Sequence, residues 1–225
     1  MESVRIFAKI FSFVKRIAKG ENPLVVRHTS VQWDIQYSKG KWNRLTDKIP
    51  PNTQSIAQMI VEGQSPCRVL DVGCGGGALY SVLKNYSLWV EYVGVDFSRS
   101  AILQARKRFP EARFILGDVL HPKRDWGDQF DYIIFNEVLY YVPAVDVIDR
   151  YNRMVSMEGK VIVSMYRSWR TAIIALLLWY KKNASFSFVK GGINSPNYFL
   201  MKIAHKVKAL FGVSVEEFSV LITTL

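Results

Sequence analysis

With 225 residues, 49% apolar and 22% charged, the chain is long enough for one well-buried domain with appendages and too short for two ordinary domains. That balance excludes a disordered chain, and two cysteines (Cys67, Cys74) with three scattered histidines (His28, His121, His205) supply no metal-ligand cluster and fit a reducing cytoplasm. The net charge of +11 is uneven. Residues 1–48 hold ten Lys/Arg against four Asp/Glu, residues 49–164 twelve against thirteen, and residues 165–225 eight against two, so basic flanks enclose a near-neutral core and suit an anionic partner.

In chain order, Val4, Phe7, Ile10, Phe11, Val14, Ile17 and Ala18 recur at spacings of three and four among Arg5, Lys9, Lys15, Arg16 and Lys19. This predicts a basic amphipathic helix over residues 1–19, which fits a lid on the domain, peripheral contact with the inner membrane face, or a partner groove. Lys9, Lys15 and Arg16 break any continuous apolar h-region, so export is not expected. Thr53 can cap a helix through Ile56, Met59 and Ile60 to Gly63. Five short apolar runs follow as strands: Arg68 to Val72, Tyr92 to Asp96, Arg113 to Leu116, Tyr132 to Asn136 and Lys160 to Met165. Between them, Ser98 can cap a helix that Pro110 ends, and Pro143 opens another through Val147, Ile148, Tyr151 and Met154. The run Ala172 to Tyr180 is far below the ~18 to 20 residues of a membrane span and reads as part of a crossover helix over residues 168–182, with a partner interface, such as a dimer contact, or a shallow membrane contact as the alternatives. Phe186 to Lys190 and Tyr198 to Ala204, joined by Gly191 to Asn197, read as an antiparallel hairpin. A short helix and a further strand are expected over residues 206–225.

The expected architecture is therefore α/β: a Rossmann-like, doubly wound, mostly parallel sheet with an antiparallel C-terminal hairpin and an N-terminal helical cover. Its parts are a cover over residues 1–48, a core over 49–205 and an extension over 206–225.

The first strand runs into Asp71-Val72-Gly73-Cys74-Gly75-Gly76-Gly77, a loop almost without side chains that opens a helix. Such a loop lets backbone approach a ligand at the carboxyl end of a parallel strand. Taken alone it is ambiguous. Gly73 to Ala78 also fits the dinucleotide pattern G-x-G-x-x-A, and Asp96 follows Gly77 at roughly the distance, about 20 residues, of a ribose-binding acid.

Three further segments resolve the ambiguity: Val93-Gly94-Val95-Asp96-Phe97-Ser98, Phe114-Ile115-Leu116-Gly117-Asp118-Val119, and Phe130 to Val142 with its Asn136-Glu137-Val138-Leu139-Tyr140-Tyr141. With the glycine loop, and in this order, they make residues 50–205 resemble the class I S-adenosylmethionine-dependent methyltransferases. The resemblance implies that S-adenosylmethionine is the cofactor. It implies that the backbone of Gly73, Cys74, Gly75 and Gly77 passes beneath the methionine and ribose, and that Asp71 supports the cationic methionine end. Asp96 would accept both ribose hydroxyls, as a carboxylate suits a vicinal diol. Phe97 would cover one adenine face with Ser98 among the cofactor-binding residues, Asp118 and the Val119 backbone would meet the adenine edge, and Asn136 and Glu137 would lie beside the methionine and the reacting methyl.

Methyl transfer needs alignment and water exclusion, with a base only where the acceptor must lose a proton. Candidate bases are Glu137, His28 and His121, with Tyr140 and Tyr141 as shaping groups. Cys74 reads as a small filler rather than a nucleophile. The block Trp33 to Leu45 resembles the pre-core segment of small bacterial methyltransferases, including saccharide-modifying ones, and Glu137 to Tyr141 is similar to members acting on sugars. A small-molecule or glycan-linked acceptor, anionic in character, is therefore expected for a cytoplasmic monomer or homodimer. An RNA acceptor and a non-catalytic binding protein are the alternatives.

Overall fold

A computed structural model describes residues 28–63, 66–86, 89–166, Ile174 and Leu178, and two C-terminal strands. The N-terminal cover begins with α1 (Ser30–Ser38) and the short α2 (Arg44–Asp47). Thr29 starts α1 with a capping box, its hydroxyl accepting from the Gln32 N–H while the Gln32 side chain accepts from the Thr29 N–H. Helix α3 (Pro51–Val61) begins at its proline, whose fixed φ and missing N–H suit the first helical position. Thr53 consequently sits inside the first turn and is not the cap, and its hydroxyl is available to accept from Asn136.

The core alternates β1 (Cys67–Val72), α4 (Ala78–Leu83), β2 (Val90–Asp96), α5 (Arg99–Arg108), β3 (Arg113–Leu116), β4 (Phe130–Asn136), α6 (Ala144–Tyr151) and β5 (Val155–Tyr166). All five strands expected from the apolar runs are present, and β6 (Ala184–Val189) and β7 (Phe218–Thr223) complete a sheet of order β3-β2-β1-β4-β5-β7-β6. β5 starts five residues earlier than its apolar run. Val155 pairs with Phe130, and an irregularity then brings Lys160 opposite Tyr132, so the mixed stretch Ser156-Met157-Glu158-Gly159 hid the start of the strand.

The strand pairings are parallel throughout. β6 has β7 as its parallel neighbour, and β7 inserts between β5 and β6, a long-range pairing that local turn signals do not reveal. The antiparallel hairpin expected at β6 depends on its other side. The expected partner Tyr198 to Ala204 lies outside the described residues, as do the amphipathic segment 1–19 and most of the crossover helix. Of the latter, Ile174 and Leu178 are helical and buried in the core.

Two apolar layers cover the sheet. One gathers Leu70, Val72, Phe135, Val147, Tyr151 and Trp126, and the other Ile56, Val69, Leu79, Ile102, Phe114 and Ile134. Adjacent strand residues fall into opposite layers, which is why the strands read as continuous apolar runs. Among the described residues, no helix is long and apolar enough to cross a membrane. The sheet order reverses between β1 and β4, which opens a crevice at their carboxyl ends.

Candidate active site

The glycine loop leaves β1 at this crevice and is fixed by its neighbours. The N–H groups of Gly73 and Cys74 both donate to the Val95 carbonyl (2.7 and 3.0 Å), and the Gly77 N–H donates to the Cys74 carbonyl (3.0 Å). Gly73, Gly75 and Gly77 adopt φ of +77°, +54° and +83°, the left-handed region that glycine enters without penalty. Packing adds a second requirement. A Cβ on Gly73 would lie 2.4 Å from Val138 Cγ2, and one on Gly75 would lie 2.3 Å from the Tyr37 hydroxyl. The three glycines are thus demanded by the protein's own side chains and backbone, whereas a Cβ on Gly76 would make only ordinary contacts, 3.9 Å from Gln104 and Thr46. Gly73→Ala is expected to lower folding stability by about 2 kcal/mol through backbone strain and overlap with Val138, read as a lower denaturant midpoint.

Two carboxylates lie buried beside the loop. Asp96, at the end of β2, accepts from the Gly75 N–H (3.0 Å, Oδ2) and the Ser98 N–H (2.8 Å, Oδ1). Burial pushes its carboxyl up to about 6, while the Ser98 and Gly75 hydrogen bonds work in the opposite direction. Asp71 accepts from the Tyr92 hydroxyl (2.7 Å, Oδ2), and burial, opposed by that bond and reinforced by the Asp96 charge, pushes it up to about 7. Its Oδ1 is buried without any hydrogen-bond partner. An orphan carboxylate oxygen in a closed environment is costly, and a ligand bearing a cation or N–H donors would satisfy it.

Of the other expected cofactor residues, Phe97 is half-buried beside Asp96. Ser98 instead serves the protein's own framework, because its hydroxyl accepts from the Ala101 N–H as the cap of α5 and donates to Asp34 Oδ1 (2.7 Å). Asp118 is exposed, accepting from the Leu120 N–H (2.9 Å) and lying 3.9 Å from His121 Nε2. Val119 is buried, and its carbonyl accepts from Tyr151. Cys74 is buried, and burial raises its thiol well above the usual range, which disfavours a nucleophilic thiolate.

At the end of β4, Glu137 adopts φ +63°, unusual for a residue with a side chain, and its N–H donates to the Ser164 carbonyl of β5 (2.9 Å). This turn places its carboxylate within a polar cluster. Asn52 Nδ2, from α3, lies 2.9 Å from Asn136 Oδ1, 3.2 Å from Glu137 Oε1 and 2.8 Å from Ser164 Oγ. Asn136 Nδ2 donates to Thr53 (3.0 Å), and the Tyr140 hydroxyl donates to Glu137 Oε2. Sequence reasoning misses Asn52 and Ser164 as site residues because neither belongs to a motif. The polar Asn52 beside a Pro-Pro helix start is the available signal.

The cover completes the crevice. Trp33 and Tyr37, four residues apart on α1, share one helix face, and Tyr37 stands against Gly75. Asp34 accepts from the Ser98 hydroxyl and the Ser100 N–H (2.9 Å), which clamps α1 onto the start of α5. Burial pushes the Asp34 carboxyl up, but hydrogen bonds from Ser100 and Ser98 together hold it below the usual range. His28 packs edge-on against Trp33 and Tyr141 (ring centroids 5.7 and 5.6 Å apart), whereas His121 is largely exposed. The structure therefore gathers Asp71, the glycines, Asp96, Asn136, Glu137, Tyr140 and His28 around one crevice and leaves Asp118 at the surface. Among the described residues, no group of three or more His, Cys, Asp or Glu could hold a metal ion.

Strand order, glycine loop and paired buried carboxylates define the class I S-adenosylmethionine-dependent methyltransferase fold. A methyltransferase-domain family model matches residues 64–191, more than half of the chain, which belongs to that family. Curated relatives include trans-aconitate 2-methyltransferases of Variovorax paradoxus (strain S110), 38% identical over 34% of this chain and 29% of the relative, and of Rhodopseudomonas palustris (strain BisB5), 32% identical over 49% and 41%. A ubiquinone biosynthesis O-methyltransferase of Bartonella quintana (strain Toulouse) is 28% identical over 51% of this chain and 50% of the relative. The matches thus span half or less of these relatives' lengths. Among solved structures, the plantazolicin methyltransferase BpumL in complex with SAH superposes with a TM-score of 0.53 at 17% identity, over 80% of this chain and 85% of that one, a likeness of fold.

Proposed function

We propose that the chain binds S-adenosylmethionine at the glycine loop and catalyses methyl transfer to a small or glycan-linked acceptor carrying negative charge. The observation that carries the donor site is the pair of buried carboxylates, Asp71 and Asp96, with Asp71 Oδ1 unpartnered beside a side-chain-free loop. These residues fit the cofactor. Asp71 suits its cationic methionine end, and Asp96, held by the Gly75 and Ser98 N–H groups, retains lone pairs for a vicinal diol. The bound cofactor supplies a methyl group activated on a positively charged sulfur.

The remaining work falls to alignment and proton removal. Glu137 is the group we assign as base for an acceptor hydroxyl, because Asn52, Ser164 and Tyr140 hold its carboxylate in place. The cover, clamped through Asp34, excludes water from the crevice. The basic flanks and the family kinship with methyltransferases named for trans-aconitate support an anionic acceptor.

Incubating the purified protein with methyl-labelled donor and separate pools of saccharides, lipids, small metabolites and RNA tests this reading. Label is expected in the saccharide or small-metabolite pool. The basic flanks also favour a second reading, an RNA acceptor; label in RNA together with steeply salt-dependent RNA binding would establish it in place of the first.

A further inference from the structure

Between the donor loop and the Glu137 cluster stands a group of rings distinct from the residues assigned to the donor. Trp33 packs on Trp42 (ring centroids 5.6 Å apart, planes 35° apart) and edge-on against Tyr141 (5.1 Å, 90°), while His28 touches both Trp33 and Tyr141. Tyr141 in turn packs on Tyr140 (4.6 Å), whose hydroxyl meets Glu137. On its other side Trp33 adjoins Tyr37 (6.4 Å), which stands over Gly75. Trp33 is therefore one ring away from the glycine loop and two from the carboxylate assigned as base.

Three features separate this group from ordinary packing. His28, Trp33, Trp42 and Tyr141 are all only half-buried, so ring surface is left over after the contacts they make with one another. The indole Nε1 of Trp42 is sealed from solvent and has no hydrogen-bond partner, although a buried N–H without an acceptor is unfavourable. Lys41 Nζ lies 5.3 Å from the centroid of the Trp42 ring and adds a cation beside it.

We propose that His28, Trp33, Trp42 and Tyr141 form the acceptor-binding site, which takes a hydroxylated six-membered ring. The ring stacks on the indole surface, a shift of the side chains that cover the Trp42 N–H lets it donate to one of the ring's oxygens, and Lys41 faces a negatively charged substituent. This rests on the methyltransferase reading above. Aromatic faces and a neutral donor favour a ring over an open-chain polycarboxylate, whose several carboxylates would meet the Glu137 carboxylate at close range with the Lys41 ammonium to face one of them. A pyranose and a phenol share the required chemistry, since each offers an apolar face and edge hydroxyls.

The test uses the full-length protein saturated with S-adenosylhomocysteine, whose affinity is measured first by calorimetry. Quenching of tryptophan fluorescence is then titrated with methyl glucuronopyranoside, 4-hydroxybenzoate, trans-aconitate and a single-stranded RNA oligonucleotide. Saturable quenching by the pyranoside or by the phenol is expected, and which of the two quenches identifies the ring. Trp42→Phe should weaken that ligand about tenfold, the loss of one hydrogen bond, and leave the S-adenosylhomocysteine affinity unchanged. Trp33→Ala should weaken it further. Absence of S-adenosylhomocysteine binding in the wild type would overturn the methyltransferase reading itself. With that binding intact, the ring site is overturned by no quenching from either ring, by tighter binding of trans-aconitate or RNA, or by a Trp42→Phe variant that binds the ring as well as the wild type.

Discussion

Asp96→Ala is expected to lower the affinity for S-adenosylmethionine by at least about a hundredfold, because two hydrogen bonds from ribose hydroxyls to a buried carboxylate together stabilise the complex by roughly 3 kcal/mol or more. The same change also strips the Gly75 and Ser98 N–H groups of their acceptor, so part of the loss would come from a loosened glycine loop. Asp96→Asn reduces the second effect: it preserves size and one of the two acceptor oxygens, its NH2 facing either the Gly75 or the Ser98 N–H, so the melting temperature should fall less than in Asp96→Ala while affinity still falls about tenfold. Calorimetry and a thermal melt on both variants check this, and unchanged binding in Asp96→Ala would refute the ribose assignment.

The second large effect concerns Asp71 and pH. Burial, opposed by the Tyr92 hydrogen bond and reinforced by Asp96, places its carboxyl at about 7, so at neutral pH the free protein holds a substantial protonated fraction. A cation beside Oδ1 requires the ionised form. Donor affinity should therefore rise from pH 6 to pH 8 and level off above, with proton release on binding near pH 7. Asp71→Asn should flatten that rise and weaken binding at pH 8 by about 2 kcal/mol, on the order of thirtyfold. Stability of the unliganded protein has the opposite slope. The folded carboxyl keeps a proton that the unfolded chain releases near pH 4, so this group's contribution falls as pH rises from about 4 to about 7. Asp96, raised to about 6, adds the same sign over a narrower window. The Asp71→Asn substitution removes the Asp71 part, and the variant should gain stability relative to the wild type as pH increases. Calorimetry in buffers of different ionisation enthalpy and melts across pH 5 to 8 measure both slopes.

The parts of this site that the sequence announces are those whose physics is local. Asp71 and the glycines of its loop stand out because an acid interrupts the apolar end of a strand just before a run of glycines, three of which take positive φ. Asp96 and Asn136-Glu137 stand out for the same reason at the ends of β2 and β4. Ser98 is recognisable as a cap, and its hydroxyl does cap α5, but its second bond to Asp34 spans 64 residues and leaves no local trace. Asn52 reaches Asn136 and Ser164 across 84 and 112 residues, so only the folded sheet brings those three together. The same limit governs the C-terminal strands. Each is a plausible strand by composition, yet the parallel placement of β7 between β5 and β6 is set by pairing between segments far apart in the chain. The cover shows both sides: Trp33 and Tyr37 share a face by simple helical spacing, whereas the closure of that face over Gly75 depends on the Asp34 clamp.

The proposed methyl-donor site is formed by Gly73 to Gly77, Asp71 and Asp96. Calorimetric titration of the purified chain with S-adenosylmethionine at pH 8 tests it. One saturable site is expected, its heat lost in Asp96→Ala. Absence of binding in the wild type, or equal binding in the variant, would contradict it.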